Sequence, residues 1–160
     1  MPLKVKLMEL DRQLQTLIEE AAQNGVAPIV IEKAIAPVLK PIALQLERLE
    51  YFIPQNLQQD WIISVISDRN SPLEKKVIYA FSTLEDVKNS RLSKNADAIA
   101  IAVPTVQILW RVFSLQQIDS IIFFKQPGNI TRGIEVKQQD LQNAIRQQLV
   151  NLKSIPPDLA

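Results

Sequence analysis

The sequence predicts an α/β (α+β) protein: a mixed β-sheet with packed helices, preceded by an N-terminal antiparallel helical hairpin. Three observations predict it. Leucines recur at alternating spacings of four and three through the first twenty-odd residues. A period of two takes over after Gln59. From there, strand-like segments alternate with segments opened by helix-starting residues.

The first helix is read from Leu3, Leu7, Leu10, Leu14, Leu17 and Ala21, which form a heptad seam with Asp11, Arg12, Gln13, Glu19 and Glu20 off it. Pro2 precedes its first turn and Asn24-Gly25 stops it, so it spans Leu3 to Gln23. The same alternation continues at Ile31, Ile35, Val38, Ile42 and Leu49, with Gln45 at one seam position. Pro28 suits a first helical residue. Pro37 and Pro41 each remove an intrahelical bond at roughly 3 kcal/mol, which predicts a kink or break near Ala36 to Pro41 and a second amphipathic half from Ile42 to Phe52. The short link at Gly25 makes the two helices antiparallel. Residues 1–53 are thus a helical hairpin and 54–160 an α/β domain. A two-helix hairpin leaves part of each seam uncovered. Its second partner is either the rest of this chain or the same hairpin of another copy, with Leu7, Leu10, Leu14 and Leu17 as the contact surface.

In the body, Trp61 to Ser67 reads as a largely buried strand, Asp68 to Pro72 as a turn and Lys76 to Phe81 as the hairpin partner. Ser82-Thr83-Leu84-Glu85 has the form of a capping box that opens a short helix to Asn89. Ala96 to Val103 alternates isoleucine and valine with alanine, and the alanine face admits a closely packed helix. Pro104 opens a helix with Ile108, Leu109, Val112 and Phe113 buried. Trp110 lies off that stripe, as a binding anchor or as a cover over the hairpin junction. Ser120 to Lys125 and Thr131 to Lys137 are strands joined by the turn Gln126 to Asn129, and Gln138 to Leu152 is a final helix. Hairpin links require antiparallel pairs and helical links permit parallel ones, so the sheet is mixed.

Composition narrows the chemistry. The chain has 160 residues, 47% of them hydrophobic and 22% charged, with a net charge of +1. That is a soluble globular protein with no bulk field for nucleic acid or an anionic membrane. It has no cysteine and no histidine. Zinc sites, Ser-His-Asp triads and Cys-His dyads are excluded, while a carboxylate site for magnesium or calcium is not. Three glycines, Gly25, Gly128 and Gly133, cannot build a phosphate loop. No cofactor is expected. No apolar run approaches the ~20 residues of a membrane span. The N-terminus turns polar at once, unlike a signal peptide, which makes the cytoplasm the expected compartment.

Lys75 to Val87 (KKVIYAFSTLEDV) runs a strand into an aromatic-Ser/Thr capping turn and a short helix. Ile118 to Asn129 (IDSIIFFKQPGN) runs a late strand into a Pro-Gly turn. With these segments, Trp61 to Leu152 resembles the SseB-like domain family. The resemblance implies an accessory or interaction module and carries over no catalytic residue. A second pattern is chemical. Glu135-Val136-Lys137 on one strand and Asp119 at the start of the previous one resemble the metal-dependent PD-(D/E)xK nucleases. There, Asp119 and Glu135 would hold magnesium and Lys137 would orient or activate the attacking water. Three features depart from that pattern: no proline precedes Asp119, a helix interrupts the strands before it, and no strand follows the last helix. The other reading of Glu135 and Lys137 is a solvated strand face. The sequence as a whole points to a non-enzymatic protein-interaction, accessory or scaffold module. Its partner is another protein or its own copy, with no membrane and nucleic acid disfavoured. The metal-dependent nuclease is the alternative.

Overall fold

The computed structural model of the chain describes residues 2–67, 72–90 and 98–153. Its elements are α1 (Leu3–Gln23), α2 (Pro28–Val30), a π-helical turn (Ile31–Ile35), α3 (Ala36–Gln45), β1 (Glu50–Gln55), β2 (Ser64–Ser67), β3 (Glu74–Ala80), α4 (Leu84–Asn89), β4 (Ile99–Pro104), α5 (Thr105–Ser114), β5 (Ser120–Gln126), β6 (Asn129–Lys137) and α6 (Gln138–Lys153). Strands β2-β3-β5-β6 form a mixed four-stranded sheet, and β1-β4 form a separate antiparallel pair. Within the larger sheet only β3 and β5 are parallel.

The α1 helix has the expected bounds. It ends in a Schellman arrangement: Val26 N donates to Ala21 O and Gly25 N to Ala22 O, with Gly25 at φ +86°. The second helical segment departs from expectation. Its irregularity lies one turn early, where Ala36 N reaches back five residues to Ile31 O. This wider turn lies just before Pro37, which has no N–H to give. The α3 helix then runs through Pro41 and stops at Gln45, with Leu46 extended at ψ 143°.

The expected helix from Ile42 to Phe52 is therefore corrected: Glu50–Gln55 is a strand. Tyr51 and Ile53, two apart, share a face only in a strand, and pairing with β4 fixes that conformation. Tyr51 lies opposite Val103 and Ile53 opposite Ile101. Side chains of α1 hold the entry to this strand. Lys6 Nζ donates to Leu44 O at 3.0 Å, Gln13 Nε2 donates to Leu49 O at 2.9 Å, and Gln13 Oε1 accepts from Val106 N at 3.0 Å. The boundary between residues 53 and 54 falls inside β1. One core cluster takes in Leu10 and Leu14 of α1, Tyr51 of β1, Ile78 of β3, Leu109 of α5, Ile121 of β5 and Ile145 of α6.

Smaller corrections follow the same logic. The strand expected from Trp61 begins only at Ser64; Trp61 forms an isolated bridge to Gln55, and β2 is a partly exposed edge rather than a buried strand. The expected turn at 68–72 and the start of the strand at 96–97 lie largely outside the described residues. Strand β4 stands outside the four-stranded sheet; on its alanine side Ala100 packs on the cluster of Phe81, Phe124 and Val87 of α4, while Ala102 is exposed. The cap of α4 is Thr83, whose hydroxyl accepts from Asp86 N at 3.1 Å. The Ser82 hydroxyl instead donates to Phe124 O at 2.9 Å. No helix among the described residues is long and apolar enough to cross a membrane.

Candidate functional site

Strand register brings part of the nuclease-like set together. Ser120 lies opposite Lys137 and Ile122 opposite Glu135, while Val77 of β3 lies opposite Ser120. Opposed residues share a face and alternate residues return to it, so Lys75, Ser120, Glu135 and Lys137 project to one side. The buried Ser120 hydroxyl donates to Glu135 Oε2 at 2.6 Å, and Lys75 Nζ pairs with the same oxygen. Burial pushes the Glu135 carboxyl up, but hydrogen bonds from Lys75 and Ser120 and the charges of Lys75 and Lys137 outweigh it and hold it below its ordinary value. A carboxylate lowered in this way is a weaker base than a free one.

Asp119 does not join them. It sits one residue before β5, on the opposite side of the strand alternation. Its carboxylate accepts from Lys76 N at 2.8 Å while its own N–H donates to Lys76 O, also at 2.8 Å. Gln138 N donates to Asp119 O at 2.9 Å. Asp119 thus ties the ends of β3 and β5 to the start of α6. Asp119 and Lys137 do border one depression of about 710 Å³ at this end of the sheet, with Lys75 and Gln138. Among the described residues, no three His, Cys, Asp or Glu side chains gather as a metal site.

The leucine seam is turned inward. Leu10, Leu14 and Leu17 are buried in the chain's own core, and Leu7 is half-buried. The reason is that α5 packs against α1 and supplies the second cover the hairpin lacked. Trp110 is half-buried and stacks on Phe113 with ring centroids 5.5 Å apart. It borders a cleft of about 340 Å³ with Leu17, Ala21 and Val26, the junction between α1 and α5.

The open edge of β4 is the feature that sequence reasoning missed. In β1, Phe52 exchanges both main-chain bonds with Phe81, at 2.8 and 2.9 Å, and Pro54 O accepts from Ile62 N at 2.9 Å. Even-numbered residues of β1 therefore turn their main chain away from β4. Antiparallel pairs alternate between bonded and non-bonded, so Tyr51–Val103, Ile53–Ile101 and Gln55–Ile99 are the bonded pairs. It follows that Ala100 and Ala102 aim N–H and C=O at the far edge of β4. No described residue bonds to them there. Ile99 is 52% exposed and Ala102 is exposed. Beside this strand, the Arg111 guanidinium lies 4.5 Å from the Trp61 ring centroid. Trp61 itself is buried, and its Nε1 has no hydrogen-bond partner among the described residues.

No protein-family model matches the chain, and no curated protein matches it. The signal that could have found the edge was the absence of charge in IAIAVP. It stayed hidden because a strand's neighbours cannot be read from its own residues.

Proposed function

We propose that this chain is a non-enzymatic interaction module that accepts an extended segment along the open edge of β4. The observation that carries this reading is an uncharged strand whose outward main-chain groups have no partner among the described residues. Sheets usually guard such edges with lysine, proline or a bulge. Ile99 to Val103 has none of these, and Pro104 stands only at its end. A docked segment would gain a ladder of main-chain bonds, with side-chain contacts on alternate positions giving selectivity. The accessory character implied by the SseB-like resemblance agrees. So does the state of Glu135, which is occupied by Lys75 and Ser120. A chain without cysteine suits a reducing compartment, so the reading places the module in the cytoplasm.

The test is affinity capture from native lysate with wild type and Ala102→Pro side by side. Proline at 102 removes an outward N–H and no internal bond, so the fold is retained. A captured protein lost with the variant is the expected result. Equal capture by both would overturn edge docking. Cleavage of DNA or RNA in magnesium or manganese that disappears in Glu135→Ala would overturn the non-enzymatic assignment.

A further inference from the structure

We infer that the segment received by β4 is β4 of a second copy, so that two chains join in one antiparallel sheet of order β1-β4-β4-β1; this rests on the edge-docking reading. The main-chain parity favours it. Even-numbered residues point outward, so a twofold axis must pair even with even. The register that keeps 99–103 wholly paired sets Ile101 opposite Ile101 of the second copy. Ala100 then exchanges both main-chain bonds with Ala102 of the other chain. Pro104 lacks an N–H and ends the ladder where α5 begins.

The side chains agree with the same register. Exposed Ile99 lies opposite Val103 of the second copy, whose side chain is buried in its own core, and half-buried Ile101 lies opposite its equivalent. No charge lies on β4 itself, and the charge beside it, Arg111, is held over the Trp61 ring. The other free edges suit self-pairing less. Strand β2 has only 4 residues, and β6 carries Arg132, Glu135 and Lys137.

The chain has no cysteine, so Ile101→Cys creates a single thiol. Directly opposed non-bonded residues have Cα atoms about 4.5 Å apart, inside the range a disulfide spans. Mild oxidation of Ile101→Cys is expected to give a covalent dimer, whereas Leu57→Cys, at an exposed position outside the strands, gives only background. Sedimentation at high micromolar concentration is expected to give twice the chain mass for wild type and once the chain mass for Ala102→Pro. Ile99→Lys is the second variant should the proline variant not fold, and it too is expected to give monomer. A monomeric wild type overturns the second copy as occupant while leaving capture of another protein through the edge to be judged by the lysate experiment. A dimer that survives both Ala102→Pro and Ile99→Lys overturns the second copy as occupant of this edge, and edge docking itself is judged by the lysate experiment.

Discussion

The carboxylate of Asp86 accepts the backbone N–H of Gly128, at 2.9 Å through one oxygen and 3.1 Å through the other. Asp86 is buried in α4, and Gly128 forms the tip of the β5–β6 turn, so this contact pins a helix of 6 residues to the sheet. Truncation leaves the turn's N–H without its acceptor, at about 1–3 kcal/mol. Asp86→Ala is expected to lower stability in urea denaturation by that amount, and Asp86→Asn, which keeps one acceptor, by less. An Asp86→Ala protein as stable as wild type would show that the clamp contributes nothing.

Two glycines on β6 and its turn differ in kind. Gly128 has φ +80°, and a Cβ there would meet nothing within 4 Å. Gly128→Ala is therefore expected to cost only the left-handed backbone strain, roughly 1–2 kcal/mol. At Gly133 a Cβ would lie 2.6 Å from Ile122 Cγ2 and 2.9 Å from Phe123 O. Ile122 can shift, but the neighbouring strand's backbone cannot do so without disturbing the ladder. Gly133→Ala is expected to be the more destabilising of the two, and thermal melts showing the reverse order would refute the packing argument.

Glu135 sets a pH dependence whose sign can be worked out. Burial raises its carboxyl, but Lys75, Ser120 and Lys137 lower it more, so its folded value lies below its unfolded one. The ionised form is then the one the fold favours. Its contribution is present above the unfolded value and is lost as pH falls through the folded one. Glu135→Gln is expected to be less stable than wild type at neutral pH, with the gap closing as acid protonates the wild-type carboxyl. A gap that is constant from neutral to acidic pH would mean that Glu135 contributes no net charge-dependent stability.

The leucine seam behaves as core. Leu10 is 0% exposed and Leu3 is 65% exposed, although both sit on the same heptad positions. Leu10→Ala is expected to destabilise by about 2–5 kcal/mol, because it opens a cavity that the surroundings only partly refill. Leu3→Ala is expected to stay within about 0.5 kcal/mol of wild type. Leu10→Asp with Leu14→Asp is expected to unfold the chain instead of dissociating an intact body. Loss of helical circular dichroism distinguishes that outcome from a folded monomer.

Residues acting on their near neighbours were legible without coordinates. The seam and Gly25 mark both ends of α1, because a helix stops where its own last turn supplies a left-handed glycine. Pro127-Gly128 marks the turn between β5 and β6 for the same local reason. Even the capping turn before α4 was visible, although the hydroxyls of Ser82 and Thr83 could be told apart only once Phe124 O was found beside Ser82.

Residues whose partners lie far along the chain were settled by tertiary contact alone. Glu50 to Gln55 became a strand because β4 offers it a ladder; Pro54 bars a helix only at the end of the segment, and nothing from Glu50 to Phe52 forbids one. Glu135 met Ser120 and Lys75 instead of Asp119 because register decides which side chains share a face, and register belongs to pairs of strands. The same holds for β4. Its alternation of alanine with isoleucine and valine is plain in the sequence, but which of its main-chain groups are left open depends on β1 taking the other edge. Local propensity acts within a few residues. Hydrogen-bond pairing and burial act across the chain, and at these positions they override or complete what the local signal leaves undecided.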